Sequence, residues 1–369
     1  MLPENDQELF YRIALTFVKD VGAVTAKKLI DQYGTAGAVF KAPLKELRTV
    51  AGMSELRAKG FRDEELFPKV EAELNFIQKH NATVLWLWDD NYPGRLKNCM
   101  DAPVLLYYTG NADLNPPKAV AVVGTRKYSD YGQRATEQLV EELKDTGVTI
   151  ISGLAHGIDT IAHKAALRNG LPTIGVVGHG LDKMYPAANK NLAKEMMANG
   201  GVLSEYPSGT PADRAHFPMR NRVVAGLSDI TVVVESDIKG GALITARVAD
   251  SYNRDVAAFP GRIYDAKSSG CNELIRTNIA SMITCADDLL ELMNWKEAGK
   301  KKPVQKQLFI NLSPEEKTVY DVLGSKDMVH ADELLHVCNM TSSQLASTLL
   351  MMEMQGLVKA LPGKFYRLD

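Results

Sequence analysis

AVAVVGTRKYSD, residues 119–130, places five uninterrupted apolar residues ahead of a glycine, a threonine and two cations. A short β-branched run of this kind reads as a strand buried on both faces of a parallel sheet. The same pattern recurs at Val148–Ile151, Thr173–Val177, Gly201–Leu203, Ile230–Val234 and Val256–Phe259. Helical patterns fall between the runs at Gln133–Lys144, His156–Arg168, Asn189–Asn199, Arg220–Gly226 and Ala242–Tyr252. A βαβ series of this kind predicts an α/β fold with a doubly wound, mostly parallel, Rossmann-like sheet over residues 81–293. Ligands of such sheets sit beyond the carboxyl ends of the strands, so the loops that follow the strands are the places to look for chemistry.

Outward from this core, residues 1–80 read as helices. Val21-Gly22-Ala23-Val24 and Val50-Ala51-Gly52-Met53-Ser54 each set a glycine turn before a new helix, as in paired helix-hairpin-helix motifs. Val24 and Ser54 stand where the motif has its second glycine, which leaves the hairpins open between phosphate binding and plain packing. Trp86-Leu87-Trp88 and Val104–Tyr108 read as strands, and core packing accounts for their aromatics better than base stacking. Residues 294–310, with Lys300-Lys301-Lys302, have the composition of a solvated linker. Residues 311–369 begin with Ser313-Pro314-Glu315-Glu316, a capping box with proline at the first helical position. Helices at Ala331–Cys338 and Ser342–Gln355 and a terminal hairpin complete a winged-helix-like domain.

Composition narrows the function. Across 369 residues, 43 Lys+Arg oppose 45 Asp+Glu, a net charge of −2. A protein that coats duplex DNA by charge alone is usually strongly basic, so any nucleic-acid site here is a local patch. Cys99, Cys271, Cys285 and Cys338 form no CxxC pair, which argues against a disulfide framework or structural zinc. The acidic start MLPENDQELF has no apolar core, and no window offers the roughly 18 apolar residues of a spanning helix. The expected location is the cytoplasm.

The loops supply anion cradles. Gly124-Thr125-Arg126 follows the first strand of the series, and Lys239-Gly240-Gly241 opens the helix after Ile230–Val234. Phe217 stands just before the expected helix, whose first turn would hold Arg220, Asn221 and Arg222. Cations there oppose the helix dipole unless an anion sits between them. An aromatic beside two arginines and an asparagine suits stacking, phosphate pairing and base-edge hydrogen bonding. The candidate site is therefore Gly124, Thr125, Arg126, Phe217, Arg220, Asn221, Arg222, Lys239, Gly240 and Gly241. GxGxxG is missing and Lys144-Asp145 lies where a dinucleotide-binding acid would stand, so no NAD or FAD is expected. GxxxxGK[ST] is missing too. His156, Asp159 and His163, at i, i+3 and i+7, leave metal chelation conceivable beside a packing role. No nucleophile or acid/base pair emerges, and neither a catalytic residue nor a metal or other cofactor is assigned.

GTR at 124–126, SGLAHGIDTIAHKAAL at 152–167, GVVGHGLDKMYPAANKNL at 175–192, SEYPSGTPADRAHFPMRNRVVAGLSD at 204–229 and ESDIKGGALITARVA at 235–249 together resemble the DNA-processing protein A (DprA/Smf) family. The resemblance runs through nearly all of 119–285. It implies a homodimer that binds single-stranded DNA and loads a RecA-type recombinase during natural transformation, with no enzymatic turnover. It carries the DNA contacts onto Arg126, Phe217, Arg220, Asn221, Arg222 and Lys239. Gly240 and Ala242 depart from the serines that many relatives have, which removes two hydroxyls and leaves the backbone amides. A second reading, a nucleotide hydrolase of the lysine-decarboxylase-like Rossmann group, needs a positioned carboxylate where KGGALITA offers none. A sequence-specific duplex reader is disfavoured because TSSQLASTLLMMEMQ, residues 341–355, has no cation.

Overall fold

The computed structural model describes residues 4–50, 52–296, 312–324, 326, 328–355, 357–361 and 363–368. Nearly all of the expected linker lies outside these residues. The chain forms two compact units, 1–296 and 297–369.

The first unit is built on a nine-stranded sheet: β1 (Thr83–Trp86), β2 (Leu105–Gly110), β3 (Lys118–Val123), β4 (Val148–Ser152), β5 (Thr173–Val177), β6 (Gly200–Ser204), β7 (Ile230–Val233), β8 (Asp255–Ala258) and β9 (Ser281–Met282). Their spatial order is β1-β2-β6-β5-β4-β3-β7-β8-β9. From β6 to β9 every pairing is parallel, while β1 and β2 add an antiparallel edge. The six expected strands are all present. The strands expected at Trp86-Leu87-Trp88 and Val104–Tyr108 are present as β1 and β2, and the two-residue edge strand β9 is the addition. Trp88 lies beyond β1, its ring 5.1 Å from that of buried Trp86.

The apolar runs are continuous because both faces of the sheet are covered. Along β3, Ala119, Ala121 and Val123 pack with Val223, Val224, Leu243 and Ala246 of the helices His216–Leu227 and Gly241–Ser251. Val120 and Val122 pack on the opposite face with Leu139, Val140, Ile161 and Ala165, from Asp130–Glu142 and Ile158–Arg168. The chain winds from β3 through β4 and β5 to β6, then returns to lay β7 on the other side of β3. The topological switch therefore falls between β3 and β7, and a crevice opens beyond their carboxyl ends.

The helices of 1–80 share one core with this sheet rather than standing apart from it. Ile13, Leu15, Val70 and Ile77 belong to the same buried cluster as Leu105 and Tyr107. Arg12 pairs with Asp89 at 3.1 Å, and Glu73 accepts the Ser208 N–H at 2.9 Å. In the second hairpin the Ser54 hydroxyl accepts from Arg57 N at 3.3 Å and so caps its own helix, Glu55–Gly60.

The second unit contains the helices Pro314–Gly324, Ala331–Cys338 and Ser342–Met354, with β10 (Val329–His330), β11 (Val358–Leu361) and β12 (Phe365–Leu368). β12 lies between the other two, each antiparallel to it. Val319, Leu323, Leu334, Leu345, Leu349 and Met352 form its core. Both expected helix starts carry their caps: Ser313 Oγ accepts from Glu316 N at 3.1 Å, and Thr341 forms a capping box with Gln344. This is the winged-helix arrangement the sequence predicts. No helix among the described residues is long and apolar enough to cross a membrane.

Candidate nucleic-acid interface

The crevice takes its shape from three loops locked on one another. Thr125 N donates to Glu235 O at 2.7 Å, and Thr125 O accepts from Ile158 N at 3.2 Å. A Cβ on Gly124 would lie 2.5 Å from Ile158 Cγ1, so only glycine lets the loops after β3 and β4 approach this closely. Ser129 caps the helix Asp130–Glu142 through Gly132 N and also donates its hydroxyl to the buried Glu235 carboxylate at 2.5 Å. Glu235, at the end of β7, thereby anchors the loop after β3. Its role is structural, and it offers no free base to the crevice.

With their backbone held this way, Arg126 and Lys127 reach into solvent. They line a cleft of about 690 Å³ together with Phe217, Asn221, Gly240 and Gly241. The Arg126 guanidinium lies 5.0 Å above the centre of the Phe217 ring, and the Tyr185 ring follows at 5.9 Å. An exposed cation above an accessible aromatic face is a surface on which a base can stack. The helix Gly241–Ser251 points its N-terminus into the same cleft, and its N-cap, Gly240, provides no side-chain cap. A Cβ at Gly241 would meet no atom within 4 Å, so packing does not demand glycine there and the amides are open to an anion.

Arg220 occupies the floor. It is buried, and its guanidinium donates to Gly153 O and, at 2.7 Å, to Val176 O. Burial lowers its pKa, with nearby Asp159 opposing the shift; burial likewise raises the Asp159 carboxyl, with Arg220 opposing. A Cβ on Gly153 would overlap the guanidinium at 2.0 Å, so this buried charge depends on glycine at 153. Asn221 is half-buried at the cleft wall.

Four sequence expectations need correction. The helix after β6 begins at His216, so Arg220, Asn221 and Arg222 lie in its second turn, and the dipole argument for an anion between them does not hold. Two residues along a helix are about 200° apart in rotation, so Arg220 and Arg222 cannot share a face. Arg222 points away from the cleft and is buried, donating to Asp101 O and to the Glu205 carboxylate. Lys239 is exposed beyond the cleft lining, with its N–H bound to Asp237 Oδ1 at 3.2 Å. His156 precedes the helix that starts at Ile158, so it does not continue a face with Asp159 and His163. His163 is fully buried, with Nδ1 2.7 Å from Thr173 Oγ1, and burial pushes its pKa down to about 3.

The cleft also contains residues outside the candidate set: Lys127, the second cation of the loop after β3, with Tyr185 and Arg214. Arg126, Lys127 and Arg214 have no ion-pair partner among the described residues. The signal for Arg214 was its place three residues before Phe217 in ADRAHFPMRNR, which becomes meaningful only once the loop is seen to fold over the cleft.

The chain matches known proteins along its length. Residues 83–294 match the model of the family DNA recombination-mediator protein A, and residues 305–364 match the DprA winged helix domain. Protein Smf of Synechocystis sp. is 32% identical over 98% of this chain and 99% of its own length. The X-ray structure of DNA processing protein A from Streptococcus pneumoniae superposes with a TM-score of 0.67 at 36% identity, covering 79% of this chain and 98% of that one. The structure of DNA processing protein A from Helicobacter pylori, described for its single-stranded DNA binding mode, gives a TM-score of 0.52 at 31% identity, over 58% of this chain and 95% of that one. With more than half of the chain inside the family's own domain and a relative matched from end to end, the chain belongs to the DNA recombination-mediator protein A family, the DprA/Smf proteins, and has a role in DNA processing.

Proposed function

We propose that the protein binds single-stranded DNA in the crevice between the loops after β3 and β7, protects incoming strands and loads a RecA-type recombinase onto them during natural transformation. It does so as a homodimer in the cytoplasm, without a cofactor and without turnover. The observation that carries this reading is the Arg126–Phe217 stack beside the uncapped amides of Gly241 and Ala242: one face for a base and one cradle for a phosphate, within a single cleft. The Helicobacter relative's single-stranded DNA binding supports the choice of polymer. Phe217 would hold Arg126 over an unpaired base, Arg220 would supply positive field from below, and Lys127 and Arg214 would draw the backbone in. Arg222 and Lys239 enter only indirectly, the first by bracing the helix and the second at the rim.

The test is fluorescence anisotropy with labelled oligo-dT and with a duplex of equal length. Single strands should bind about tenfold or more tighter, since one stacked base contributes about 1–3 kcal/mol and a duplex keeps its bases paired. Equal affinity at physiological salt would refute the stacking site. Turnover of nucleoside monophosphates, tested in parallel, would instead favour a hydrolase.

A further inference from the structure

We propose that a second nucleotide subsite continues the strand beyond the Phe217 cleft, across the helix Ile158–Arg168, with Lys164 and Arg168 taking its phosphates; this rests on the single-strand reading above. A separate cleft of about 450 Å³ lies there, lined by Tyr128, His156, Thr160, Lys164, Arg168 and Asn189. The same loops wall both clefts. Arg126, Ala155 and Tyr185 face the first, whereas Tyr128, His156 and Ala188 face the second, so only a ridge of loop separates them. The ridge is braced from beneath: the buried Asn189 amide donates to Leu154 O and to Thr160 Oγ1, each at 2.9 Å.

The chemistry of the second cleft matches a strand. Lys164 and Arg168 stand one helical turn apart on a single face, both exposed. Lys164 has no ion-pair partner among the described residues. Arg168 pairs with Glu137 at 3.0 Å, but the two side chains are 60% and 33% exposed, and a pair so wet is weak enough for a phosphate to displace the carboxylate. Tyr128 and His156 are both exposed beside these cations, and each offers a ring to a base. Cations and rings together in a cleft one ridge away from the first are what a second stretch of single strand requires. A merely solvated helix face would have no need of the rings or of the braced ridge.

The proposal makes binding loss depend on oligomer length. Oligo-dT of about 6 nucleotides should fill only the first cleft, and one of about 20 should reach both, given site sizes of about 4–16 nucleotides in other single-strand binders. The double variant Lys164→Ala/Arg168→Ala should bind the long oligomer about tenfold more weakly and flatten its salt slope by about 1.4, two contacts at about 0.7 each, while the short oligomer binds as before. Glu137→Gln, which frees Arg168, should instead strengthen binding of the long oligomer. Equal losses at both lengths, or none at either, would overturn the second subsite. Loss of short-oligomer binding in Phe217→Ala with no effect of Lys164→Ala/Arg168→Ala would overturn the second subsite alone. Failure of the unmodified protein to bind either oligomer would remove the single-strand reading as well.

Discussion

Arg126→Ala combined with Phe217→Ala should weaken oligo-dT binding by about a hundredfold, or about 2.7 kcal/mol, without altering the fold. Phe217 accounts for the larger part, because losing one stacking face removes about 1–3 kcal/mol. Arg126, held over the base, also sets its charge against the adjoining phosphate, so the slope of log affinity against log salt should also flatten by about 0.7. Both side chains reach the cleft surface from a backbone held by other residues: the Thr125–Glu235 hydrogen bond on one side and the helix His216–Leu227 on the other. Circular dichroism and the urea midpoint should therefore match the unmodified protein. Anisotropy with short oligo-dT at three salt concentrations reads both quantities, and unchanged affinity with a native spectrum would mean that the cleft is not the binding site.

Arg222→Ala should behave in the opposite way, destabilising the protein while leaving the cleft intact. Its guanidinium is 8% exposed and the Glu205 carboxylate it meets is 12% exposed, with Asp101 closing the network. Burial raises the Glu205 carboxyl and Arg222 opposes that shift, so removing Arg222 strands an acid in the interior. Breaking a buried pair from one side costs about 3–5 kcal/mol. A urea titration should show the midpoint falling by a corresponding amount. Arg222→Leu with Glu205→Leu, which removes both charges and fills the space, should recover most of the loss. In the protein that remains folded, oligo-dT affinity should change little. A variant with unchanged stability and abolished binding would place Arg222 in the DNA site after all.

The parallel core was legible because its strands are buried on both faces, which leaves short, β-branched, continuous apolar runs that alternate with helical patterns. β1 and β2 read as strands, but nothing in their sequence says they extend the sheet antiparallel. β9 is two residues long and half of it is Ser281, so its pattern is too short to see. The helix His216–Leu227 began earlier than its pattern suggested because Pro218 reads as a breaker, yet proline is tolerated in a first turn, where its missing N–H would be unpaired anyway. That one offset moved Arg220 to Arg222 from the helix start into its second turn; that the two arginines face opposite ways follows from their spacing of two residues alone. The KGGALITA cradle was legible because glycine at a helix entrance serves a recognisable purpose, and GTR because a glycine directly after a buried strand marks a close turn. Tyr185 and Arg214 were not, since their nearness to Phe217 depends on how separate loops fold together. The boundary expected near residue 80 was set by a change of pattern, whereas the packing of Ile13 and Val70 with Tyr107 is a long-range fact that no local pattern records.

Photocrosslinking identifies the side chains that a bound base touches. Oligo-dT substituted with iododeoxyuridine, bound to the full chain and irradiated, reports the residues in contact with a base once the crosslinked peptides are sequenced. Crosslinks are expected at Phe217 and Tyr185, abolished by competing unlabelled single strand and not by duplex. Crosslinks confined to the helix Ser342–Met354, or to the hairpins around Gly22 and Ser54, with none in the cleft, would contradict it.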